Sequence, residues 1–245
     1  MAPISAWTVF FAAMVTALAT GLGALPFFFY RNIAKRWLGI FNAVAAGLML
    51  GASHGLINEG SQLDMWRMLL GLVAGVVLIS LLNSRLQADE GAQFHTFQAA
   101  GGMKSLLIVG VMTLHSFAEG VGVGVAYGGG DTLGSFITTA IAIHNIPEGL
   151  AISLVLVPRG VSPGKAGLWS IFSSLPQPLM AVPAFLLVTV FRPFLPFGLG
   201  LAAGAMIWMV FAELLPDALE EIPAGLAASV VALSLAAMMA FQTLL

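Results

Sequence analysis

Two long apolar segments joined by a short glycine-rich connection decide the fold of this chain: LHSFAEGVGVGVAYGGGDTLGSFITTAIAIHNIPEGLAISLVLV, residues 114–157. A helix needs about 20 mostly apolar residues to cross the hydrocarbon core of a bilayer. The second segment has that length within the quoted stretch, and the first reaches it together with the apolar residues that precede it, from Met103. The connection at residues 128–133 is short, so the two helices must run antiparallel and side by side. The stretch therefore predicts a pair of neighbouring transmembrane helices.

The composition of the whole chain also indicates a membrane protein. Of its 245 residues, 59% are apolar and 8% are charged, whereas a soluble domain carries roughly a quarter charged residues. A net charge of -2 provides no basic patch, so nucleic acid is not a predicted partner. Cysteine is absent, which excludes disulfides and thiolate sites. Any metal must therefore be held by nitrogen, oxygen or methionine sulfur.

Further runs of membrane-crossing length, bounded by charges, Pro or Gly, extend this pair to an all-α bundle. The sequence predicts one transmembrane domain, residues 1–245, with eight transmembrane helices at residues 6–29, 38–57, 66–82, 103–127, 134–157, 166–191, 195–215 and 224–244. Three prolines with polar neighbours in the sixth span predict a broken helix inside the bundle. Residues 83–102 are predicted to form a long cytoplasmic loop.

The basic residues predict the orientation of these spans. Lys and Arg concentrate on the cytoplasmic side of membrane proteins. With the N-terminus outside, seven of the nine basic residues fall on the cytoplasmic side: Arg31, Lys35, Arg36, Arg85, Lys104, Arg159 and Lys165. The sequence therefore predicts a multi-pass protein of the plasma or inner membrane, surrounded by lipid, with both termini on the non-cytoplasmic side.

Two of the four histidines stand in the same local pattern, His-x-x-x-Glu-Gly. The pattern pairs His115 with Glu119 in the fourth span and His144 with Glu148 in the fifth. A spacing of four places imidazole and carboxylate on one face of a helix, where they can chelate a divalent ion. Both pairs fall near mid-span, so they are predicted to meet close to the bilayer midplane. Such a nitrogen and oxygen set suits zinc, iron(II), manganese and similar ions.

Polar residues of the sixth span predict that a third helix faces this site. Gln177 lies between Pro176 and Pro178, one helical turn after Ser173 and Ser174. These prolines lack an N–H, as does Pro147, which leaves carbonyls upstream without their helical partners. Met49 in the second span is more typical of a core residue than of a ligand. Polar groups can also simply join helices by hydrogen bonds, but intramembrane glutamates without a basic partner indicate function.

These motifs resemble those of the ZIP (Zrt/Irt-like) family of divalent metal transporters, particularly its GufA-like branch. HSFAEG at residues 115–120 is similar to the fourth-helix motif of that family, and HNIPEG at residues 144–149 to its fifth-helix motif. AGAMIWMVFAELLP at residues 203–216 resembles the seventh-helix segment. The resemblance covers the whole chain and is most specific in the fourth and fifth helices.

The resemblance implies a site for two metal ions between these helices. The residues that it assigns to the first position are His115, Glu119, His144 and Glu148. Ser116 and Asn145 would border the second position together with the same glutamates, and Met49 would supply a further contact. Gln177 is a further metal-site candidate, at a position where the family often has a Glu. Its amide can offer only a neutral oxygen, so we expect one tightly held metal per protomer. A homodimer, and an elevator-like movement of helices one, four, five and six against two, three, seven and eight, are also implied.

The sequence thus predicts a transporter that moves a divalent transition-metal ion toward the cytoplasm by alternating access. Zinc is the first candidate, followed by Fe, Mn, Cd and Co, and the ion is a substrate, so no cofactor is expected. An intramembrane zinc-dependent hydrolase is the main alternative, since His and Glu also build catalytic sites. The sequence contains no His-Glu-x-x-His motif, which argues against the hydrolase. A haem-binding bundle is the second alternative, although a Glu beside each His opposes an apolar macrocycle.

Overall fold

We describe a computed structural model of the chain at residues 4–30, 34–94 and 102–244. Within these ranges all regular secondary structure is helical, which confirms the predicted all-α class. The helices are α1 Ala6–Leu22, α2 Lys35–Phe94, α3 Gly102–Gly129, α4 Asp131–Leu156, α5 Pro163–Ser174, α6 Pro176–Val190, α7 Leu195–Met209, α8 Leu215–Glu221 and α9 Ala224–Leu244. Short 3-10 turns occupy Leu25–Phe28, Val157–Arg159 and Arg192–Phe194, and a π turn, Val210–Leu214, joins α7 to α8.

Helix α2 consists of two arms that meet at Asp64. This residue has extended backbone angles (φ -162°, ψ 102°) inside the helix. Its side chain accepts a hydrogen bond of 3.0 Å from the backbone N–H of Arg67, as an N-cap does at the start of a helix. The first arm, residues 35–63, contains the predicted second span, and the second arm, residues 65–94, contains the predicted third.

The second arm continues well beyond the predicted end of the third span. It runs to Phe94, so the predicted loop at residues 83–102 is wrong as far as that residue, and residues 95–101 lie outside the described ranges. Residues 83–94 include Leu, Arg, Gln, Ala and Glu, which all favour helix. The third span was predicted from hydropathy, which detects only the apolar part of this helix. A helix can continue beyond its last apolar residue.

The predicted break in the sixth span is confirmed. Helix α5 ends at Ser174 and α6 begins at Pro176, with Leu175 between them. Pro176 has no N–H with which to continue the ladder of α5. The carbonyl of Phe172, expected to be left free by that proline, instead accepts a hydrogen bond of 3.2 Å from the N–H of Leu175.

Five stretches of the described residues are long and apolar enough to cross a membrane. They are Ala6–Phe28, Lys35–Ser84, Pro163–Val190, Arg192–Glu221 and Ala224–Thr243. The second has 50 residues and contains the kink of α2. Helices α3 and α4, which carry the two motifs, pack among these stretches: α3 contacts α4, α6 and α7, while α4 contacts α1, α2 and α5. The chain is thus an integral membrane protein whose motif helices lie inside the bundle.

Candidate metal site

Three ionisable side chains from the two motifs come together inside the bundle. Glu119 is on α3, and His144 and Glu148 are on α4; each offers one ligand atom, and these atoms lie within 4.8 Å of one another. The exposed fractions of the three residues are 0%, 1% and 6%. Nε2 of His144 is 3.2 Å from Oε1 of Glu119. The antiparallel α3–α4 pair therefore brings the Glu of the first motif next to both the His and the Glu of the second.

Several polar atoms at this place have no hydrogen-bond partner among the residues that the structure describes. They are Oε1 of Glu119, both carboxylate oxygens of Glu148 and both ring nitrogens of His144. Burying polar groups without partners is costly in free energy. Converging lone pairs of two carboxylates and an imidazole are the donor set that binds a divalent transition-metal ion. The geometry of these three side chains therefore fits a metal site.

Two further candidates lie next to these groups in the sequence and are fully buried. Ser116 is three residues before Glu119 on α3, and Asn145 follows His144 on α4. The Ser116 hydroxyl and Oδ1 of Asn145 are also without a hydrogen-bond partner in the described part of the chain. Both are oxygen donors, so they can extend the donor set of the site.

The structure places two other predicted ligands, His115 and Met49, on helices α3 and α2. The backbone of His115 lies in α3, four residues before Glu119, and its side chain lies outside the described part of the structure. Met49 lies on the first arm of α2 and is buried in the largest apolar cluster, together with Met206 and Met209. The roles of His115 and Met49 as ligands stay predictions.

Gln177, at the start of α6, contacts the site and is hydrogen-bonded at both ends of its amide. Nε2 donates to Oε2 of Glu119 at 2.7 Å. Oε1 accepts a hydrogen bond of 3.1 Å from Nδ2 of Asn145 and another from the hydroxyl of Thr16. The third helix expected at the site is therefore α6. Gln177 reaches Glu119 through its N–H, while its oxygen accepts from two donors, and its role as a metal ligand stays a prediction.

Comparison with known proteins identifies the family. The family model described as ZIP Zinc transporter matches residues 83–242. The chain belongs to the ZIP family of zinc transporters. This confirms the resemblance seen in the two motifs. Membership of a transporter family also favours transport over the intramembrane hydrolase.

Individual ZIP relatives match most of the chain. A protein of Arabidopsis thaliana provisionally named a zinc transporter is 49% identical over 98% of the chain, which spans 39% of that relative's length. The zinc transporter GufA of Myxococcus xanthus is 28% identical, over 84% of this chain and 86% of GufA. The zinc transporter ZIPB of Bordetella bronchiseptica is 33% identical, over 81% of this chain and 69% of ZIPB.

The glycine that ends each motif of this ZIP protein permits a close helix contact beside the motif glutamate. A methyl carbon on Gly120 would lie 2.5 Å from the backbone carbonyl oxygen of Gln177. One on Gly149 would overlap the backbone carbonyl oxygen of Thr20. Any side chain at these positions would push α6 from α3, or α1 from α4. The two glycines therefore let α6 and α1 approach the site at the level of the glutamates.

Sequence reasoning missed the contribution of α1. Thr16 is fully buried, and its backbone carbonyl accepts a hydrogen bond of 2.7 Å from Nδ2 of Asn145. One turn further on, the hydroxyls of Thr20 and Ser174 are 2.8 Å apart. The signal was present, because Thr16 and Thr20 are four residues apart in an otherwise apolar segment and so share one helix face.

Glu213 is a further acidic group near the site of this ZIP protein. It lies in the π turn between α7 and α8, is partly buried, and is close enough to Glu148 for the two carboxyl groups to interact electrostatically. π turns within α-helices are frequent at functional sites. The π turn thus contains the only acidic residue of the seventh-helix segment at residues 203–216, Glu213.

Proposed function

We propose that this chain transports a divalent transition-metal ion, with zinc as the first candidate, across the membrane toward the cytoplasm by alternating access. The observation that carries the proposal is the cluster of Glu119, His144 and Glu148, buried in an apolar helical bundle of a ZIP family member. Two carboxylates and an imidazole also accept Fe, Mn, Cd and Co, which compete with zinc. The ion is cargo, and no resident cofactor is part of the proposal.

In this proposal the ligands come from both motifs. Glu119, His144 and Glu148 bind the ion through the atoms that have no protein partner among the described residues. His115 adds an imidazole from α3, Asn145 and Ser116 add oxygens, and Met49 adds a further contact from α2. Gln177 holds Oε2 of Glu119, so that Oε1 faces His144 and the ion.

The membrane arrangement that we propose has eight crossings. The two arms of α2 cross separately, α5 and α6 form one broken crossing, and α8 continues the crossing of α7. Nζ of Lys35 is 3.6 Å from a carboxylate oxygen of Glu221, which supports one common side for the start of α2 and the end of α8. With this side cytoplasmic, both termini face away from the cytoplasm, in the plasma or inner membrane.

We also propose that the protein is a homodimer and moves in two bodies, as the family resemblance implies. One body holds α1 and α3 to α6 with the metal site, and the other holds α2 and α7 to α9. Helix α1 contacts α4, α5 and α6, while α2 contacts α7, α8 and α9, so each body has extensive contacts of its own. Cross-linking and the mass of the protein in detergent test the dimer separately from transport.

Uptake of radioactive zinc into proteoliposomes tests the proposed function. We expect Glu119→Ala, His144→Ala and Glu148→Ala each to reduce uptake to near the background of empty liposomes, because each removes one of a few buried ligands. His115→Ala is expected to do the same. Glu220→Ala, at an exposed acidic residue on α8, is the matched control and should retain uptake.

Two results would contradict this proposal. If the unmodified protein takes up neither zinc nor any competing divalent ion, transport is wrong. If Glu148→Ala takes up zinc at the normal rate, the site is wrong even though transport is right. Monodisperse elution of each variant in detergent shows that loss of uptake is not loss of folding.

A further inference from the structure

We propose that Thr16 of α1 is a positioning residue of the metal site. Its backbone carbonyl and its hydroxyl fix the amide groups of Asn145 and Gln177, and these amides decide which oxygens of Asn145 and Glu119 face the ion. The proposal rests on the function proposed above. It assigns a role in metal binding to a helix that carries neither motif.

The first step is the backbone carbonyl of Thr16, which can only accept a hydrogen bond. Asn145 must therefore turn its NH₂ group toward this carbonyl, where Nδ2 lies 2.7 Å from the oxygen. The reversed amide would place two acceptor oxygens against each other. Oδ1 of Asn145 is consequently turned away from α1, buried and without a hydrogen-bond partner among the described residues, and is available to an ion.

In the second step, the oriented amide of Asn145 determines the orientation of the Gln177 amide. The same NH₂ group of Asn145 donates to Oε1 of Gln177 at 3.1 Å, and the Thr16 hydroxyl contacts that oxygen as well. With its oxygen held by these groups, Gln177 must turn its NH₂ toward Glu119, where Nε2 lies 2.7 Å from Oε2. Oε2 is thereby occupied, and Oε1 is left facing His144 at 3.2 Å.

Because these hydrogen-bonded side chains are buried, each depends on the others for hydrogen bonds. Thr16, Asn145, Gln177 and Glu119 are all fully buried, so bulk water cannot replace a lost donor. The Thr16 hydroxyl also lies 2.7 Å from the carbonyl of Ala13, which keeps the hydroxyl between its own helix and Gln177. The close contact of α1 with α4 at Gly149 holds Thr16 at this distance from Asn145.

Thr16→Val tests the role of the hydroxyl, because valine keeps the shape of the side chain and the backbone carbonyl. Groups that orient metal ligands typically contribute about tenfold or more to metal affinity. We expect Thr16→Val to weaken equilibrium zinc binding in detergent about tenfold. The KM of zinc uptake should rise by a similar factor, with a smaller change in the maximal rate.

Two further variants distinguish positioning from packing. Thr16→Ser keeps the hydroxyl and loses a methyl group, so it should restore zinc affinity to within about twofold of the unmodified protein. Thr20→Val is the matched control: Thr20 is on the same face of α1, but its hydroxyl contacts Ser174 instead of Gln177. It should leave zinc affinity unchanged while making a substitution of the same size and burial.

A double substitution tests the route through Gln177. If Thr16 acts by holding this amide, Thr16→Val should cause no further loss of zinc affinity in a Gln177→Ala protein. Additive losses from the two substitutions would overturn the proposed route, and so would failure of Thr16→Ser to restore affinity. Thr16→Ala, which also lacks the hydroxyl and is smaller, replaces the valine variant if the latter does not elute as a folded protein.

The outcome for the unmodified protein separates this inference from the proposed function. Zinc binding and uptake by the unmodified protein, with unchanged affinity in Thr16→Val, would overturn the positioning role alone. Absence of both zinc binding and uptake in the unmodified protein would overturn the proposed function.

Discussion

The two faces of α3 pack against their neighbours in different ways. On the face toward α6, methyl carbons added to Gly120 and Gly124 would meet backbone: the first would lie 2.5 Å from the carbonyl oxygen of Gln177, and the second would overlap that of Ala181. On the face toward α7, one added to Gly122 would lie 3.6 Å from Cβ of Ala202, which is an ordinary contact. Of these three glycines within five residues, two permit backbone contact with α6 and one faces a side chain of α7.

The difference indicates which helices can move relative to each other. Where two backbones touch, side chains cannot adjust, so we expect α3 and α6 to stay together in the movement proposed above. The same holds for α7 and α2, because methyl carbons on Gly200 and Gly204 would overlap the carbonyl oxygens of Met68 and Leu72. Between α3 and α7 the contact is made by side chains, as where Gly198 faces Val125. This face is therefore a suitable boundary between the two bodies proposed above.

The largest effect is expected for Gly124→Ala. Its new methyl group would overlap the Ala181 carbonyl and force α6 away from α3, and overpacking of this kind costs about 1–3 kcal/mol or more. We expect a clear fall in thermal unfolding temperature or loss of monodisperse protein in detergent. Gly122→Ala, two residues away on the other face, is the control and should unfold at nearly the normal temperature. Equal stability of the two variants would contradict the comparison.

A smaller and different effect is expected for Gly122→Leu. A large side chain at this position fills the face between α3 and α7, where we propose that the two bodies slide. Zinc uptake should fall about tenfold, on the order of 1.4 kcal/mol in the barrier, while equilibrium zinc binding in detergent should stay within about twofold. If binding and uptake fall together, the substitution disturbs the site itself, and the α3–α7 face is not a sliding boundary.

Local patterns in the sequence were sufficient to place the centre of the candidate site. The spacing of four in each motif and the short connection between α3 and α4 bring Glu119 close to His144 and Glu148, and both features are local. The helical continuation to Phe94 was missed because hydropathy reports apolar residues and not helix ends. A sequence read in this way locates membrane segments better than it locates helix boundaries.

Contacts between distant parts of the chain could not be predicted. Thr16 and Gln177 are 161 positions apart, and no local pattern states that α1 passes beside α6. The motif glycines were visible in the sequence, but their purpose depends on which backbone approaches them. The orientation of the Gln177 amide is likewise a property of the packed bundle, since it follows from a carbonyl group on α1.

The smallest effect, a change in the number of bound ions, is expected for Gln177→Glu. Two dications a few ångströms apart repel each other strongly in a medium of low dielectric constant. The two glutamates of the site supply at most two negative charges, and the Gln177 amide supplies none. We therefore expect the unmodified protein to hold one metal ion tightly per protomer, with any second ion bound weakly.

The contact at Gly120 fixes the backbone of residue 177 beside α3, so this substitution places a carboxylate at a known position. With that backbone in place, the new carboxylate replaces an N–H donor that is 2.7 Å from Oε2 of Glu119. Two carboxylates at such a distance repel unless a cation or a proton lies between them. Gln177→Glu should therefore bind a second ion tightly, as counted by native mass spectrometry at low micromolar zinc, while Gln177→Leu should not. Two tightly bound ions in the unmodified protein would overturn the charge argument. A single ion in Gln177→Glu would show that a proton and not a second metal ion lies between the two carboxylates, and would contradict this prediction.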